Sequence, residues 1–242
     1  MNEKERIAFL KEISEVNGIS GNEVAVSRVF KKHAAPYADR IEHDQLGCIF
    51  AYQDGEKDQP TVMICGHMDE VGFIVARIEE SGLLRLHPVG GWWNHVILAE
   101  LMTVRTRDGK EYKGVVGAQP PHGMPAEMRQ KVMETKDLYL DMGVKGKKDI
   151  EDLGIRVGDT VTPYTEFRIL NDGKTLLGKA WDDRIGMAIA LEVLQNLRKE
   201  PHKANYVAVG TVQEEVGLRG AKTASYHVHP DIAFATDVTM SY

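Results

Sequence analysis

Apolar residues near the N-terminus follow a helical spacing. They recur every three to four positions over residues 3–16, which predicts a helix. Gly18 ends that pattern, and a second helix is expected to run to about His33. Ser20 or Asn22 is in position to cap the second helix, because a side-chain oxygen there can accept from free backbone N–H groups. The chain is therefore predicted to begin with two helices joined by the short turn GISGNE.

Strands and helices alternate at both ends of the sequence. RIEHDQLGCIFAYQ predicts two strands around a turn, and TVMIC at 61–65 is a continuous apolar run, as expected of a strand buried on both faces. After Leu176 the pattern predicts a helix in DRIGMAIALEVLQNLRK, then strands in ANYVAVGTV and DIAFATDVT. This alternation predicts an α/β sheet with helices on both faces.

The middle of the sequence has a different pattern. From about Phe73 to Phe167 there are many short β-type runs with frequent glycines, and VRTRDGKEYKGVVG predicts a hairpin around Asp108-Gly109. Helical spacing occurs there only in MPAEMRQKV and KKDIEDL. The simplest architecture is an α/β domain in two pieces, with a β-rich domain inserted between them.

Composition narrows the class of protein without identifying it. The chain has 242 residues, 43% of them hydrophobic, with a formal net charge of -6. The mild acidity disfavours a nucleic-acid partner, and without a run of about 18 apolar residues no membrane-spanning helix is expected. Cys48 and Cys65 lie in strand-like runs, so we expect reduced, structural cysteines in a cytoplasmic protein.

Acidic residues and one histidine stand where predicted strands meet loops or helices. They are His67 and Asp69 in CGHMDE, Asp182 and Asp183 in KAWDDR, Glu214 and Glu215 in QEEVG, and Asp237 in FATDV. Each motif alone has an ordinary explanation: a solvated turn, a helix cap, a charged loop or an isolated acid at a strand end. The adjacent glutamates repel each other, so a cation or a proton should compensate for their charge.

Together these motifs predict a metal centre. In open α/β sheets, ligands bind outside the carboxyl ends of the strands, where these side chains could converge. Oxygen and nitrogen ligands without a thiolate suit zinc, cobalt or manganese. Asp69 lies two residues after His67 and could hold the second ring nitrogen. One of the two glutamates could bind metal while the other takes a proton from water, which is the layout of two-metal hydrolysis.

In this order the motifs resemble the M42 family of metallo-aminopeptidases, which includes the glutamyl aminopeptidases of lactic acid bacteria and the tetrahedral aminopeptidases. The resemblance covers essentially the whole chain. It rests on GHMDE, WDDR, EEVG, the late aspartate, QPPHG at 119–123 and LDMGVKGKKDIEDLGIRVGD at 140–159. It implies an enzyme that removes N-terminal residues from peptides with a water that bridges two divalent metal ions, with zinc or cobalt as the expected metals.

The resemblance also implies a role for each candidate residue and each domain. Asp182 would bridge both metals, His67 and Asp237 would complete one site, Glu215 would bind the second metal, Glu214 would be the general base, and Asp69 would orient His67. Residues 1–68 and 168–242 would form the catalytic domain. The insert, 69–167, would be a dimerisation domain, and family members build dodecamers from dimers.

After Asp237 the sequence departs from the family pattern. The family has a further histidine ligand downstream, whereas this sequence ends five residues after Asp237. The resemblance therefore predicts a C-terminally truncated chain whose second metal site lacks a protein ligand. His227 and His229 are interpreted as loop residues, and His122 as a residue that contacts a partner subunit or shapes a turn.

Two alternatives stay open beside the aminopeptidase. An inactive truncated homologue would act only as a binding or assembly module and would hold one metal ion or none. Another metal-dependent hydrolase is the second alternative, because some members of this family carry a glucanase label. Glycosidases usually work with two carboxylates and no metal pair, so the ligand set does not favour that label.

Overall fold

The computed structural model describes residues 2–241, apart from the side chain of Met128. The described chain divides into two compact units. The first combines the residues up to Glu70 with those from Glu166 onward and is called the α/β unit here. The second, Val71–Thr165, is called the barrel unit. The predicted α/β fold class is confirmed, since helices flank a mixed sheet in the first unit.

The regular elements have the following bounds. The helices are α1 (Glu3–Glu15), α2 (Val24–Ala34), α3 (Lys147–Asp152), α4 (Trp181–Leu197) and α5 (Arg219–Val228). The strands are β1 (Arg40–His43), β2 (Ile49–Gln53), β3 (Thr61–His67), β4 (Gly72–Ile78), β5 (Leu84–Val89), β6 (Leu101–Arg105), β7 (Glu111–Ala118), β8 (Leu138–Asp141), β9 (Thr160–Pro163), β10 (Arg168–Ile169), β11 (Leu176–Leu177), β12 (Asn205–Thr211) and β13 (Ile232–Ala235). Among the described helices, none has both the length and the apolar character of a membrane span.

The sheet of the α/β unit brings three strand ends to one edge. Its order is β1-β2-β12-β3-β13, and β3 runs parallel to both of its neighbours. Thr211 at the end of β12 pairs with His67, and Ala235 at the end of β13 pairs with Cys65. The segments that follow these three strands therefore leave the sheet at the same edge, with His67 in the middle.

Helix α4 lies directly against β3 because one residue of the strand has no side chain. A Cβ at Gly66 would collide with the backbone of Gly186 and Met187 and with the Asp183 carboxylate. Further along the same helix, Leu191 and Leu194 are fully buried in the core of the unit. Burial of a leucine side chain stabilises a fold by about 1.5–3 kcal/mol, so α4 is firmly attached.

The predicted caps of α2 are wrong. Glu23 occupies the N-cap position and makes no capping hydrogen bond to the helix. The Ser20 hydroxyl instead donates to Asp69 at 2.5 Å. The Ser20 side chain, which could have capped the helix, is therefore directed toward the sheet edge described above.

The barrel unit is a closed β-barrel with the strand order β4-β5-β8-β7-β6-β9. The predicted hairpin is confirmed, because β6 and β7 pair around Gly109, whose φ of 84° requires the left-handed region that glycine tolerates. KKDIEDL forms α3 as its spacing predicts. MPAEMRQKV does not form an α-helix and has only a 3₁₀ turn at Met128–Gln130. Described side chains in that stretch are mostly exposed, so no buried face stabilises a helix.

Both cysteines are buried free thiols in the α/β unit, as expected from their strand-like context. The Cys48 sulfur lies 3.5 Å from the Gly220 carbonyl oxygen, and the Cys65 sulfur lies 3.6 Å from that of Phe234. Burial raises the pKa of Cys48 to about 12, so its thiol stays protonated at neutral pH. Both residues therefore act as packing residues of the core.

Candidate metal centre

His67 ends β3 with its ring almost completely buried. Its Nδ1 lies 2.9 Å from the main-chain carbonyl oxygen of Asp69, so Nδ1 carries the proton and donates it. The Nε2 atom then faces Asp182, with 2.9 Å to Oδ1. The sequence predicts that the Asp69 carboxylate holds the ring, but its nearest oxygen is 3.6 Å from Nδ1. The main-chain carbonyl of the same residue makes that hydrogen bond instead.

The Asp69 carboxylate has a different set of partners. It is fully buried, and it accepts from the backbone N–H of Glu214 at 3.0 Å and of Glu215 at 3.1 Å. The Ser20 hydroxyl donates to the second oxygen at 2.5 Å. Asp69 therefore holds the backbone of the turn that carries both glutamates, a contact that spacing alone does not predict.

A second buried carboxylate holds the preceding residue of that turn. Glu23 is 6% exposed, and its Oε1 accepts from the backbone N–H of Gly21 at 2.8 Å and of Gln213 at 3.0 Å. Burial raises the pKa of Glu23, and nearby Asp69 raises it further, although these N–H groups oppose the shift. In the sequence, Glu23 reads as a residue of the first helical turn, so its role at the sheet edge was missed.

Asp182 and Asp183 precede the regular part of α4 and differ in environment. Asp183 is fully buried, and its Oδ1 accepts from the backbone N–H of Gly186 at 3.0 Å, which is a helix-capping contact. Burial raises the pKa of Asp183 to about 7, with repulsion from Asp237 adding to the shift. The Asp182 side chain is 56% exposed and points to His67. Asp183 therefore caps the helix, as the ordinary explanation predicts. Asp182 is the residue of the pair whose side chain reaches the candidate metal centre.

Two groups of side chains come close enough to share a cation. His67, Asp182 and Asp237 offer ligand atoms within 4.8 Å of one another, and His67, Glu214 and Glu215 form a second such group. The four carboxylate candidates for metal ligand or base thus meet around the His67 imidazole. The second group differs from the implied ligand set, because it joins Glu215 to Glu214 and His67 rather than to Asp182.

The charges at this edge are strongly unbalanced. Within residues 2–241, no lysine or arginine forms a salt bridge with Asp182, Glu214, Glu215 or Asp237. Burial raises the pKa of Glu215 to about 7, and Asp182 and Glu214 add to this while His67 opposes it. Burial lowers the pKa of His67, but the surrounding carboxylates outweigh it, so the net shift is upward. Such a cluster attracts cations, and its donor set fits zinc or cobalt.

A buried ionic cluster lies beside the centre. Lys179 donates to the Glu70 carboxylate at 2.6 and 2.7 Å, and Arg184 approaches the same group at 3.4 Å. All three side chains are buried. Glu70 follows Asp69, and Lys179 precedes Asp182 by three residues, so the cluster connects two loops that supply the centre. Sequence reasoning did not identify it, because these charges carry no motif.

The remaining histidines lie outside both candidate groups. His227 belongs to α5 rather than to a loop; it stacks on Phe50 at 4.5 Å, and its Nε2 lies 3.2 Å from Glu42. His229 is the C-cap of that helix rather than part of an extended loop. His122 is exposed in a 3₁₀ turn of the barrel unit, so the turn-shaping part of its interpretation fits.

Residues 47–242 match the M42 glutamyl aminopeptidase family, and the chain belongs to this family. Glutamyl aminopeptidase of Lactococcus lactis is 34% identical over 230 residues, which cover 94% of this chain and 65% of that protein. The chain thus spans about two thirds of the length of such relatives.

Solved structures agree with this assignment. A TET aminopeptidase from a marine sediment thaumarchaeon superposes with a TM-score of 0.95 at 36% identity, covering 100% of this chain and 68% of that one. The TET1 peptidase of Pyrococcus horikoshii, described as able to assemble into a tetrahedron or a large octahedral shell, gives a TM-score of 0.85 at 31% identity. That match covers 96% of this chain and 68% of the other.

Proposed function

We propose that this protein is a metal-dependent aminopeptidase that hydrolyses N-terminal residues from peptides. The observation that carries the proposal is the cluster of His67, Asp182 and Asp237 at the carboxyl edge of β3 and β13. Family membership supports the same reaction class. The alternative of a binding or assembly module predicts the same fold without turnover.

The residues that would hold two divalent metal ions follow from the geometry and the family. His67, Asp182 and Asp237 would hold the first, and Asp182 with Glu215 the second. When bound, such ions act as Lewis acids and lower the pKa of water toward neutrality. The His67 hydrogen bond to the Asp69 carbonyl keeps Nε2 unprotonated in the neutral ring, which is the form that binds a metal ion.

Glu214 is the proposed general base. Its carboxylate is 28% exposed, and one oxygen lies 3.9 Å from His67 Nε2, so it is near the proposed ligands and accessible to water. Burial raises the pKa of Glu214, and Asp69 and Asp237 add to this while His67 opposes it. A carboxylate with a raised pKa accepts a proton more readily, so Glu214 can take one from water and return it to the leaving amine.

Glu214→Gln tests this role. It removes the base but keeps the size of the side chain, so we expect unchanged metal binding and roughly 10²–10⁴-fold lower turnover of aminoacyl-anilides. Glu134→Gln, at an exposed glutamate of the barrel unit, is the matched control and should behave as wild type. Near-normal turnover of Glu214→Gln would exclude Glu214 as the base. Activity that survives complete chelation would favour the glucanase-type alternative, since glycosidases need no metal pair.

Homo-oligomerisation through the barrel unit is the second part of the proposal. Leu101 and Val115 pair across β6 and β7, and they are 48% and 41% exposed. The backbone N–H of Tyr164, a residue that is 40% exposed, donates to the Leu101 carbonyl oxygen. This apolar group, called the Leu101 patch, is the kind of surface that another subunit covers. Assembly of the TET1 relative into a tetrahedron or a large octahedral shell supports homo-oligomerisation, for which the Leu101 patch is the proposed dimer interface.

Leu101→Glu should dissociate the proposed dimer, because it places a charge at the centre of the patch. The measurement is molar mass in solution by light scattering. Leu218→Glu is the matched control, since Leu218 is a similarly exposed leucine, at 55%, in the α/β unit. An unchanged mass for Leu101→Glu would place the interface elsewhere.

A further inference from the structure

The turn after β12 directs consecutive backbone N–H groups to buried acceptors. Those of Gln213, Glu214 and Glu215 donate to carboxylate oxygens at 3.0, 3.0 and 3.1 Å. Gln213 has a φ of 56°, in the left-handed region that a non-glycine residue seldom adopts. The turn is therefore a conformation that its surroundings must impose.

The acceptors come from two distant parts of the sequence. Asp69, after β3, holds the N–H groups of Glu214 and Glu215, and Glu23, before α2, holds that of Gln213. Both carboxylates are buried, and hydrogen bonds to buried ionised acceptors are stronger than those between neutral groups. Ser20 donates to the Asp69 oxygen that accepts from Glu215, which fixes that carboxylate in turn.

Glu23 gives up an ordinary local role to make this contact. As the N-cap of α2 it could accept from the first N–H groups of its own helix, yet it makes no such bond. Its Oε1 instead joins Gly21, two residues before it, to Gln213, which lies 190 residues away. A side chain needed only to start α2 would not require that distant partner.

We infer that Glu23 is a positioning residue for the proposed catalytic glutamates: its carboxylate oxygen is the acceptor that holds Gln213 and so sets the direction of the turn. Ser20 supports the same turn through Asp69. The hydrogen bonds of the two side chains go to Asp69 and to backbone N–H groups rather than to the proposed ligand atoms. This inference rests on the proposed function for its catalytic consequence, while its structural content concerns the turn alone.

The test compares Glu23→Leu with Glu23→Gln. Leucine fills similar space without an acceptor, whereas glutamine keeps one oxygen that can replace Oε1. Ser27→Ala is the matched control, because Ser27 is a buried polar residue of the same helix that contacts His43 rather than the turn. The readouts are hydrogen exchange of the peptide that contains residues 213–215, cobalt titration followed by visible absorption, and kcat and KM for an aminoacyl-anilide.

For Glu23→Leu we expect faster exchange in the turn, weaker binding of the second cobalt ion and a kcat lower by about 10²-fold, since small misplacement of catalytic groups has costs of that order. KM should change little. Glu23→Gln and Ser27→Ala should match wild type in all three measurements. Unchanged exchange in Glu23→Leu would overturn the inference, as would a glutamine variant as defective as the leucine one.

A smaller change keeps the test decisive if Glu23→Leu does not fold. Ser20→Ala removes only the hydroxyl that fixes Asp69, and it should raise exchange at Glu215 and weaken the second cobalt site. Unchanged exchange and cobalt binding in a folded Ser20→Ala protein would overturn the supporting role. Exchange is measured without substrate, so failure of the proposed peptidase activity would show as an inactive wild type with the exchange differences intact.

Discussion

Glu214 and Glu215 stand on a turn whose backbone is held by buried carboxylates, whereas Asp182 and Asp237 reach the same histidine from exposed positions. The Asp182 side chain is 56% exposed, twice the 28% of Glu214. Asp237 contacts the backbone N–H of the next residue, Val238, at 2.7 Å. The turn after β12 is thus held by buried side chains. The side of the centre that carries Asp182 and Asp237 is open to solvent and to metal ions.

This difference separates two kinds of substitution. Replacing an exposed ligand should change metal binding with little effect on folding, because surface substitutions usually alter stability by less than about 0.5 kcal/mol. Replacing a buried support should change folding and metal binding together. Substitutions on the two sides of the centre test that separation.

Asp182→Ala should abolish metal binding at both proposed sites, because its carboxylate is the proposed shared ligand. Asp237→Ala should weaken only one site, and neither change should shift the urea midpoint appreciably. Metal stoichiometry after gel filtration and urea unfolding of the metal-free proteins measure these two properties. Two tightly bound ions in Asp182→Ala would contradict the bridging role, and strong destabilisation by either change would remove the contrast between the two sides.

Lys179→Met should lower the free energy of unfolding by about 3–5 kcal/mol, because it leaves the Glu70 carboxylate buried beside only one cation. The measurement is urea unfolding of the metal-free protein. Lys136→Met is the matched control, since Lys136 forms a similar pair with Glu134 but is 73% exposed, and its loss should have no measurable effect. Equal effects of the two changes would show that the buried cluster is not a support of the centre.

The metal-free protein should become less stable as pH rises from about 5 to 7. The pKa of Glu215 rises from 4.5 to about 7 on folding, because burial disfavours its charged form. The native state then binds more protons than the unfolded state between these values, so stability falls as pH increases. The raised pKa values of Asp183 and His67 act in the same direction.

Thermal unfolding across this pH range, with and without zinc, measures the effect. Bound zinc should remove the slope, since the metal replaces the protons, and Glu215→Gln should make the slope of the metal-free protein shallower. This account of the cluster would be contradicted if the metal-free wild type became more stable as pH rises toward neutrality.

The candidate site residues at strand ends could be predicted from the sequence, because each motif follows directly after an apolar run. An apolar run followed by CGHMDE or QEEVG marks both the strand and the chemistry, and parallel strands bring such ends together. The buried residues that hold the centre in place could not be predicted in this way. Glu23 looks like any acidic residue at a helix start, and its partner lies 190 residues away. Glu70, Lys179 and Arg184 meet only after the sheet and α4 have formed.

The strand pairing of the barrel unit could also be predicted only in part from the sequence. Its β-type runs and the Asp108-Gly109 hairpin follow from turn residues and alternation. The closure of β4 against β9 depends on pairing such as Phe73 with Val161, which no local pattern encodes. Likewise, MPAEMRQKV has the spacing of a helix but no apolar surface to cover, so its periodicity is misleading.

The contact at Gly66 makes the spacing of the centre a property of two backbones. Helix α4 rests on β3 at this point, with His67 one residue along the strand and Asp182 just before the regular helix. A methyl group at position 66 would push the helix away from the strand and displace the end that carries Asp182. The separation between the backbones that carry His67 and Asp182 therefore depends on contact between main-chain atoms.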